Sequence, residues 1–388
     1  MDFSPAPATQ ALVDAIRAFM AAEVLPHDAE WLQQPFDELP LEPLRDHVRA
    51  QGWWAPSLPR AWGGLGLDLV DLALVGEVLG QSPFGHYLFG CQAPDAGNME
   101  LLLAFGTPTQ QERFLRPVAE GRQRGCFAMT EPDTPGSNPT QLACRARREG
   151  DHFVLDGRKW FATGADGAAY ALVMAVTNPD APPHQRASVF LVPLPAPGLT
   201  LVRNIPIMGH GGQGWASHGE LQFDGVQAEL LGEEGAGFML GQARLGPGRI
   251  HHCMRWLGVC ERAFALMAAR ARGRSLTADK TLADQPLLQA AAAALRARID
   301  AARLLVLHTA WTIEKQGFKE ARTQVSLIKF HVAQLLQDVV DQAVQVHGAL
   351  GLTSDTVLAY FYAHERGARI YDGPDEVHLL AAGKQVLR

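Results

Sequence analysis

A carboxylate on a tight turn near the end of the chain is the strongest candidate for chemistry. Asp372 lies in residues 371–377, Tyr-Asp-Gly-Pro-Asp-Glu-Val, which follow a long stretch of helical sequence. A turn of this kind can present one carboxylate as a general base to a weakly acidic C–H bond. The same run also fits a helix N-cap, with Asp375 as the acidic residue three positions later. Residues 371–377 alone leave both interpretations open.

Two further segments combine polar and aromatic residues. Residues 127–132, Phe-Ala-Met-Thr-Glu-Pro, begin a loop rich in Pro and Gly that extends to Asn138. That loop is either an ordinary turn or a site where backbone N–H groups and hydroxyls hydrogen-bond the polar edge of a ring. Residues 159–163, Lys-Trp-Phe-Ala-Thr, are predicted on a strand, where an aromatic ring either enters the core or packs against a flat cofactor.

Two other patterns are rejected because their surroundings do not fit the chemistry, and two common hydrolase motifs are absent from the sequence. The Gly-x-Gly-x-x-Gly string at residues 209–214 precedes a predicted turn and strand, whereas a dinucleotide site needs a helix there. His251 and His252 are adjacent on a predicted helix and point about 100° apart, so they cannot share a metal ion as an i, i+4 pair would. The chain has no Gly-x-Ser-x-Gly elbow and no P-loop lysine, which argues against acyl-serine and nucleotide hydrolysis. We expect no metal site.

Composition narrows the class of protein. The 388 residues are 47% hydrophobic and 19% charged, with a formal net charge of −7. These values suit a protein with a large core and argue against a nucleic-acid-binding surface. The first residues do not resemble a signal peptide, and no run of about 18 apolar residues predicts a membrane span. The five cysteines form no Cys-x-x-Cys pair, which is typical of a reducing compartment, so we expect a cytoplasmic protein.

The hydrophobic pattern changes twice along the chain and predicts three domains. Helical spacing dominates residues 1–124, short β-rich runs fill 125–235, and helical spacing returns in 236–388. Strands are predicted over 152–155, 170–177, 187–194, 199–205 and 220–223, with a hairpin turn at Asp156-Gly157 and another turn at Asp224-Gly225. Apolar residues every three or four positions between Val325 and Val346 predict one long amphipathic helix.

In order and spacing, these motifs resemble the acyl-CoA dehydrogenase family over essentially the whole chain. Residues 244–250, Arg-Leu-Gly-Pro-Gly-Arg-Ile, and 345–351, Gln-Val-His-Gly-Ala-Leu-Gly, add to the resemblance. The Asp-Gly-Pro-Asp-Glu-Val motif is similar to that of a subgroup that includes the dehydrogenase half of certain two-part eukaryotic proteins. The resemblance implies an α+β, mainly helical fold, with an N-terminal helical domain, a middle β-barrel-like domain and a C-terminal four-helix bundle.

The resemblance also implies a cofactor and the residues that hold it. FAD would lie between the β domain and the bundle, with a neighbouring subunit completing the site. Asp372 matches the catalytic base, and Ser137, Arg249 and Gly373 match substrate-binding positions. The positions that match FAD-binding residues are Phe127, Met129, Thr130, Gly136, Ser137, Phe161 and Thr163, with Arg274, Gln345, Gly348 and Ala349 reaching the FAD of a partner subunit.

Several departures from the family pattern bear on the chemistry. The base is Asp372 where the family usually has glutamate, which is one methylene longer, and a misplacement of about 1 Å can cost on the order of a hundredfold in rate. Some relatives carry the base near the start of the long helix, but Gly248 stands at that position. Phe161 replaces a common tryptophan, and Pro374 replaces a common threonine.

The implied activity is α,β-dehydrogenation of an acyl-CoA thioester to the trans-2-enoyl-CoA, as in the β-oxidation of fatty acids. Asp372 would remove a proton from Cα, a hydride would pass to FAD, and an electron-transferring flavoprotein would accept the electrons. A homodimer or homotetramer is expected. Two alternatives stay open. One is a flavin oxidase of the same fold that uses O₂, similar to nitroalkane or acyl-CoA oxidases. The other is a flavin-bound scaffold or nucleic-acid-binding relative without turnover, against which the acidic balance counts.

Overall fold

A computed structural model describes residues 5–388, apart from the side chains of residues 245–247. Residues 245–247 belong to the 244–250 motif, so the side chains of that part of the motif lie outside the described ones. The chain divides into two units. The first unit comprises residues up to Gln34, Leu67–His86 and Gly248–Arg388, and the second comprises Pro35–Gly66 and Tyr87–Pro247. The N-terminal helices therefore contribute to both units.

Thirteen α-helices occur among the described residues. They are α1 (Pro7–Phe19), α2 (Asp28–Trp31), α3 (Leu41–Ala50), α4 (Leu69–Leu79), α5 (Gly85–Leu88), α6 (Asp95–Phe105), α7 (Pro108–Gln110), α8 (Arg116–Ala119), α9 (Gly237–Gly273), α10 (Pro286–Gln316), α11 (Arg322–His347), α12 (Leu358–His364) and α13 (Asp375–Val386). The helices precede and follow one continuous β region, as the hydrophobic pattern predicts.

Seven strands form the β region of the second unit. They are β1 (Gly125–Ala128), β2 (Arg145–Glu149), β3 (His152–Thr163), β4 (Tyr170–Val176), β5 (Ala187–Pro193), β6 (Leu199–Asn204) and β7 (His218–Leu231). The pairing order is β4-β2-β3-β7-β5, and β5 pairs again with β4, so these five strands close into a ring. β1 pairs in parallel with β4, and β6 pairs with β7. The ring confirms the barrel-like character of the β domain.

The two predicted turns are wrong, because both dipeptides lie inside long paired strands. Asp156-Gly157 belongs to β3 and Asp224-Gly225 to β7, and the two face each other at a bulge. Turn-forming residues accommodate such a bulge as readily as a hairpin. The turn that precedes β3 lies at residues 150–151, after β2. Only Ala146 of the five β2 residues is buried, so β2 lacks the apolar alternation by which strands are predicted.

The C-terminal helices pack around an apolar core in the first unit. The predicted stripe of α11 is buried, including Val325, Ile328, Val332, Leu335, Val339 and Ala343. Fully burying a side chain of this size contributes about 1.5–3 kcal/mol. α9 packs closely on α4, because a Cβ at Gly258 would lie 2.2 Å from the carbonyl oxygen of Glu77. This close packing holds α9, which carries several of the candidate site residues, in a defined rotation.

The architecture confirms the α+β, mainly helical fold that the resemblance implies, with helices at both ends and a sheet domain in the middle. Among the described residues, no helix is long and apolar enough to cross a membrane. All five cysteines are free and buried.

Candidate active site

The turn that carries Asp372 directly precedes α13. Asp372 has a φ of +55°, in the left-handed region that side chains rarely adopt, at a cost of about 1–3 kcal/mol. Gly373 follows at φ +98°, and a Cβ there would lie 2.7 Å from Nε2 of His378. The N-cap of α13 is Pro374, without a side-chain cap hydrogen bond. The helix-cap interpretation of Asp372 is therefore wrong, and its carboxylate makes other contacts.

The Asp372 carboxylate lies against His252 of α9. Oδ2 of Asp372 and Nε2 of His252 are 3.2 Å apart, and the two side chains are 18% and 19% exposed. The imidazole stacks on Trp256 at 5.7 Å and meets Tyr371 at 5.2 Å between ring centroids. The carboxylate therefore occupies a partly dry environment beside a group that can donate a hydrogen bond or carry positive charge.

Three polar side chains hold the main chain of the turn. Nε of Arg249 and Nε2 of His378 lie 3.4 Å and 3.0 Å from the carbonyl oxygen of Asp372. Lys329 is fully buried and donates to two main-chain carbonyls, one of them that of Gly373 at 2.8 Å. Burial lowers the pKa of Lys329 to about 8, although Asp372 acts in the opposite direction. Groups from α9, α11 and α13 thus fix the backbone that carries the candidate base.

Tyr371 anchors the other side of the turn to α9. Its hydroxyl accepts hydrogen bonds from Nη2 of Arg255 at 2.9 Å and from Nε1 of Trp256 at 3.0 Å. Arg255 also forms a two-point ion pair with the buried Glu365, at 2.5 Å and 2.8 Å. Burial would raise the pKa of Glu365, but Arg255 outweighs this effect and holds it well below its usual range. Because Arg255 stays paired and charged, Tyr371 has a fixed position next to Asp372.

In the second unit, β3 presents an aromatic residue at a bulge. Between Lys159 and Ala162, β3 has two residues where β7 has one. Phe161 occupies this bulge with a φ of +50°, and its side chain is 42% exposed. Its ring meets that of Trp160 edge-on, with 5.0 Å between centroids. An apolar ring held outward on a strained backbone suits a surface on which a planar, partly apolar cofactor stacks.

The exit of β1 is tied to the same bulge. The hydroxyl of Thr130 donates to the carbonyl of Trp160 at 2.8 Å, and the Trp160 N–H donates back to the Thr130 carbonyl at 3.0 Å. Nζ of Lys159 donates to the carbonyl of Met129 at 2.8 Å and pairs with Glu131 at the same distance. These bonds hold the main chain of Met129 and Thr130 in a fixed position beside Phe161.

Two other predicted cofactor residues also have partners within the second unit. Phe127 lies under the guanidinium of Arg244, which is 4.3 Å from the ring centroid. The hydroxyl of Thr163 lies 2.9 Å from Nδ1 of His218. A hydroxyl that uses one bond in this way can still donate or accept another, so Thr163 keeps the capacity to bind a cofactor heteroatom.

The remaining predicted cofactor residues are exposed. They are Gly136, Ser137, Arg274, Gln345, Gly348 and Ala349. The first two lie in the loop after β1 in the second unit, and the other four lie near the ends of α9 and α11 in the first unit. Their surfaces are therefore open in a single chain. Contact of the last four with a partner subunit's FAD stays a prediction, as does cofactor binding by Gly136 and Ser137.

Three residues around Asp372 are not anticipated from the sequence: His252, Lys329 and His378. The structure brings Arg249 and Gly373 to Asp372, whereas Ser137 belongs to the other unit. A signal for His252 exists, because it follows the predicted Arg249 by three positions and shares its helix face. In the part of the chain that the structure describes, no group of three side chains forms a metal site.

Comparison with known proteins covers nearly the entire chain. Models of the acyl-CoA dehydrogenase N-terminal, middle and C-terminal domains match residues 6–122, 126–226 and 235–387. A solved Mycobacterium abscessus protein, provisionally described as an acyl-CoA dehydrogenase, has a TM-score of 0.94 at 36% identity, over 99% of both chains.

Two curated relatives extend the comparison. A Mycobacterium tuberculosis protein named "Probable acyl-CoA dehydrogenase FadE2" is 44% identical over 353 residues, which are 89% of this chain and 85% of that protein. The mouse acyl-CoA dehydrogenase family member 10 is 38% identical over 98% of this chain, which spans only 37% of the mouse protein. From the three matching domains and the nearly full-length similarity, this chain belongs to the acyl-CoA dehydrogenase family, a family of flavin-dependent oxidoreductases.

Proposed function

We propose that this protein is an FAD-dependent acyl-CoA dehydrogenase that converts an acyl-CoA thioester to the trans-2-enoyl-CoA, with Asp372 as the base. The placement of Asp372 carries the proposal. Its backbone is strained at φ +55°, its carbonyl is held by Arg249 and His378, and its carboxylate is only 18% exposed. Strain maintained by several surrounding contacts is typical of a functional position rather than of an ordinary turn.

Asp372 takes the α-proton of the thioester. Its carboxylate is mostly buried, which limits the contact of the base with water. The side chain is one methylene shorter than glutamate, so its backbone must be held close to the substrate, and Lys329 and Tyr371 restrain that backbone on both sides. The Asp372 N–H would meet the thioester oxygen as negative charge develops there.

Phe161, Thr130 and Met129 would hold the flavin ring of FAD on the second unit. The exposed ring of Phe161 offers a stacking surface, and the fixed main chain of Met129 and Thr130 offers polar contacts at the ring edge. When bound, FAD supplies the acceptor for the β-hydride. The exposed Gln345 and Gly348 support a homodimer or homotetramer in which each chain completes its neighbour's cofactor site.

Anaerobic titration with a panel of saturated acyl-CoAs tests this function. We expect at least one of them to bleach the visible flavin absorbance of the purified protein. Asp372→Asn should slow bleaching by about 10²–10⁴-fold, the usual contribution of a general base. The exposed Asp355→Asn is the matched control and should react as the wild type does. Unchanged bleaching in Asp372→Asn would contradict the assignment of the base.

Reoxidation of the reduced protein tests the electron acceptor. A dehydrogenase should react slowly with air and rapidly with an electron-transferring flavoprotein. Fast reoxidation by O₂ with release of hydrogen peroxide would instead identify an oxidase of the same fold. The two outcomes are read from the same reduced sample, so this measurement is independent of the identity of the acyl group.

A further inference from the structure

A histidine contacts the carboxylate of Asp372, the candidate base that is one methylene shorter than the glutamate usual in the family. Nε2 of His252 lies 3.2 Å from Oδ2 of Asp372, within hydrogen-bonding distance. The imidazole packs against both Trp256 and Tyr371, whose rings also contact each other with 5.9 Å between centroids, so its movement is restricted. The Tyr371 hydroxyl is in turn bonded to Arg255, so the ring that confines His252 is itself held in place. His252 is therefore a fixed polar group directed at the carboxylate.

We propose that His252 is a positioning residue for Asp372: in the substrate complex, its Nε2–H donates to Oδ2 and orients the carboxylate so that its other oxygen faces the substrate's α-carbon. This inference rests on the proposed function, since it takes Asp372 as the base. A glutamate could reach the α-carbon by its own length, whereas an aspartate depends more strongly on the direction in which it is held.

The surroundings favour a directional role for His252 over a purely electrostatic one. Arg249 and Lys329 already bring positive charge to Asp372 from α9 and α11. Burial and neighbouring positive charge lower the pKa of His86 to about 3 and that of His251 to about 4, so these nearby imidazoles are neutral near pH 7. One more positive charge would add little to this cluster, whereas a fixed N–H donor sets the orientation of the Asp372 carboxylate.

Substitutions at residue 252 separate a hydrogen-bonding role from a packing role. His252→Leu keeps an apolar side chain against the rings but cannot donate, and His252→Gln keeps a terminal N–H without an imidazole. His331→Gln on α11, which is also half-buried, is the control. The measurements are the limiting rate of flavin reduction by the acyl-CoA that bleaches the wild type, the substrate dissociation constant, and the isotope effect with α-deuterated substrate.

We expect His252→Leu to slow reduction about 10–100-fold, the scale of a misplaced catalytic group, with the substrate dissociation constant within about threefold of the wild type. Its α-deuterium isotope effect should increase, because proton removal becomes slower relative to other steps. His252→Gln should recover most of the rate, and His331→Gln should match the wild type. A merely structural role would not raise the isotope effect and would not be rescued by glutamine.

The outcomes distinguish the inference from the function on which it rests. If Asp372→Asn is inactive and His252→Leu reacts as fast as the wild type, the positioning role is overturned and the base assignment stands. The same holds if His252→Leu and His252→Gln are equally impaired. If Asp372→Asn reacts normally, the base assignment fails and the positioning role fails with it.

A readout without substrate completes the test. Nitrogen-15 NMR of histidine-labelled protein should show His252 with a proton on Nε2, and that resonance should shift in Asp372→Asn. The His331 resonances should not respond. A proton on Nδ1 alone would overturn the proposal, because Nε2 could then not donate to the carboxylate.

Discussion

A fully buried lysine lies in each of the two candidate regions, the β3 bulge and the Asp372 turn, and the two lysines have different hydrogen-bond partners. Lys159, beside the β3 bulge, pairs at 2.8 Å with the buried carboxylate of Glu131. Lys329, behind the Asp372 turn, donates to two main-chain carbonyls at 2.7 Å and 2.8 Å. One lysine thus has a charged partner, and the other is bonded mainly to neutral dipoles.

The different partners place the pH responses of the two regions in different pH ranges, although both contributions to stability rise with pH. Burial would raise the pKa of Glu131, but Lys159 and several hydrogen bonds hold it below its ordinary value. Its contribution to stability is therefore present above the ordinary carboxyl pKa and lost as the pH falls through the folded value. Burial lowers the pKa of Lys329 to about 8, so the unfolded chain binds this proton more tightly than the folded one. This contribution to stability therefore rises with pH from about 8 toward the ordinary lysine pKa.

Both regions use their lysine to support a strained residue. Phe161 has a φ of +50° and Asp372 a φ of +55°. Each strained residue directly adjoins backbone that a buried cation or its neighbours hold in place. The comparison indicates that a buried lysine can support strained backbone through different partners, a carboxylate for Lys159 and main-chain carbonyls for Lys329.

The largest expected effect comes from removing the charge that pairs with Lys159. Glu131→Gln leaves a buried ammonium without its counter-ion and should destabilise the protein by about 3–5 kcal/mol. Urea denaturation at neutral pH measures the loss. The loss should shrink in acid, where the wild-type carboxylate is itself protonated. Glu149→Gln, in an exposed ion pair with Arg147, is the matched control and should cost no more than about 1 kcal/mol. Similar losses in the two variants would show that burial does not set the difference.

A smaller effect is expected at Lys329. Lys329→Met leaves two buried carbonyls without their donor and should destabilise the protein by about 1–3 kcal/mol at pH 7. Because only the wild type gains stability on losing this proton, the difference in the free energy of unfolding should widen between pH 8 and pH 10. Urea denaturation of both proteins across this range measures the change, and other titrating groups cancel in the difference. Lys384→Met, at an exposed position of α13, should show no such trend. A constant difference would mean that Lys329 does not titrate there.

The smallest effect on stability is expected at Phe161. Phe161→Ala removes an exposed side chain and should change the free energy of unfolding by less than about 1 kcal/mol. The loss of one aromatic stacking contact, worth about 0.5–1.5 kcal/mol, should weaken FAD binding about 3–10-fold. Equilibrium dialysis of FAD with the variant measures this change. Phe318→Ala, which removes another partly exposed ring, is the control and should bind FAD like the wild type. Unchanged FAD affinity in Phe161→Ala would show that the Phe161 ring does not contribute to FAD binding.

Much of the fold follows from local pattern. Short apolar runs predict β4 and β5, and the three-to-four spacing predicts α11, because most of these residues form the core itself. The exceptions have a common cause. β2 is nearly all exposed, and Asp156-Gly157 uses turn-forming residues to make a bulge. In both places, pairing with neighbouring strands outweighs local preference.

The candidate site likewise has features that the sequence predicts and features that depend on the tertiary structure. The sequence by itself determined the family and singled out Asp372, since ordered motifs along one chain need no three-dimensional information to be recognised. Only the tertiary structure decided that His252 contacts Asp372 and that Lys329 is buried next to the same turn. The rotation of α9 and the packing of α11 depend on contacts between residues far apart in the chain, so the spacing of His252 from Arg249 is only a partial local signal for the side chains that meet the carboxylate.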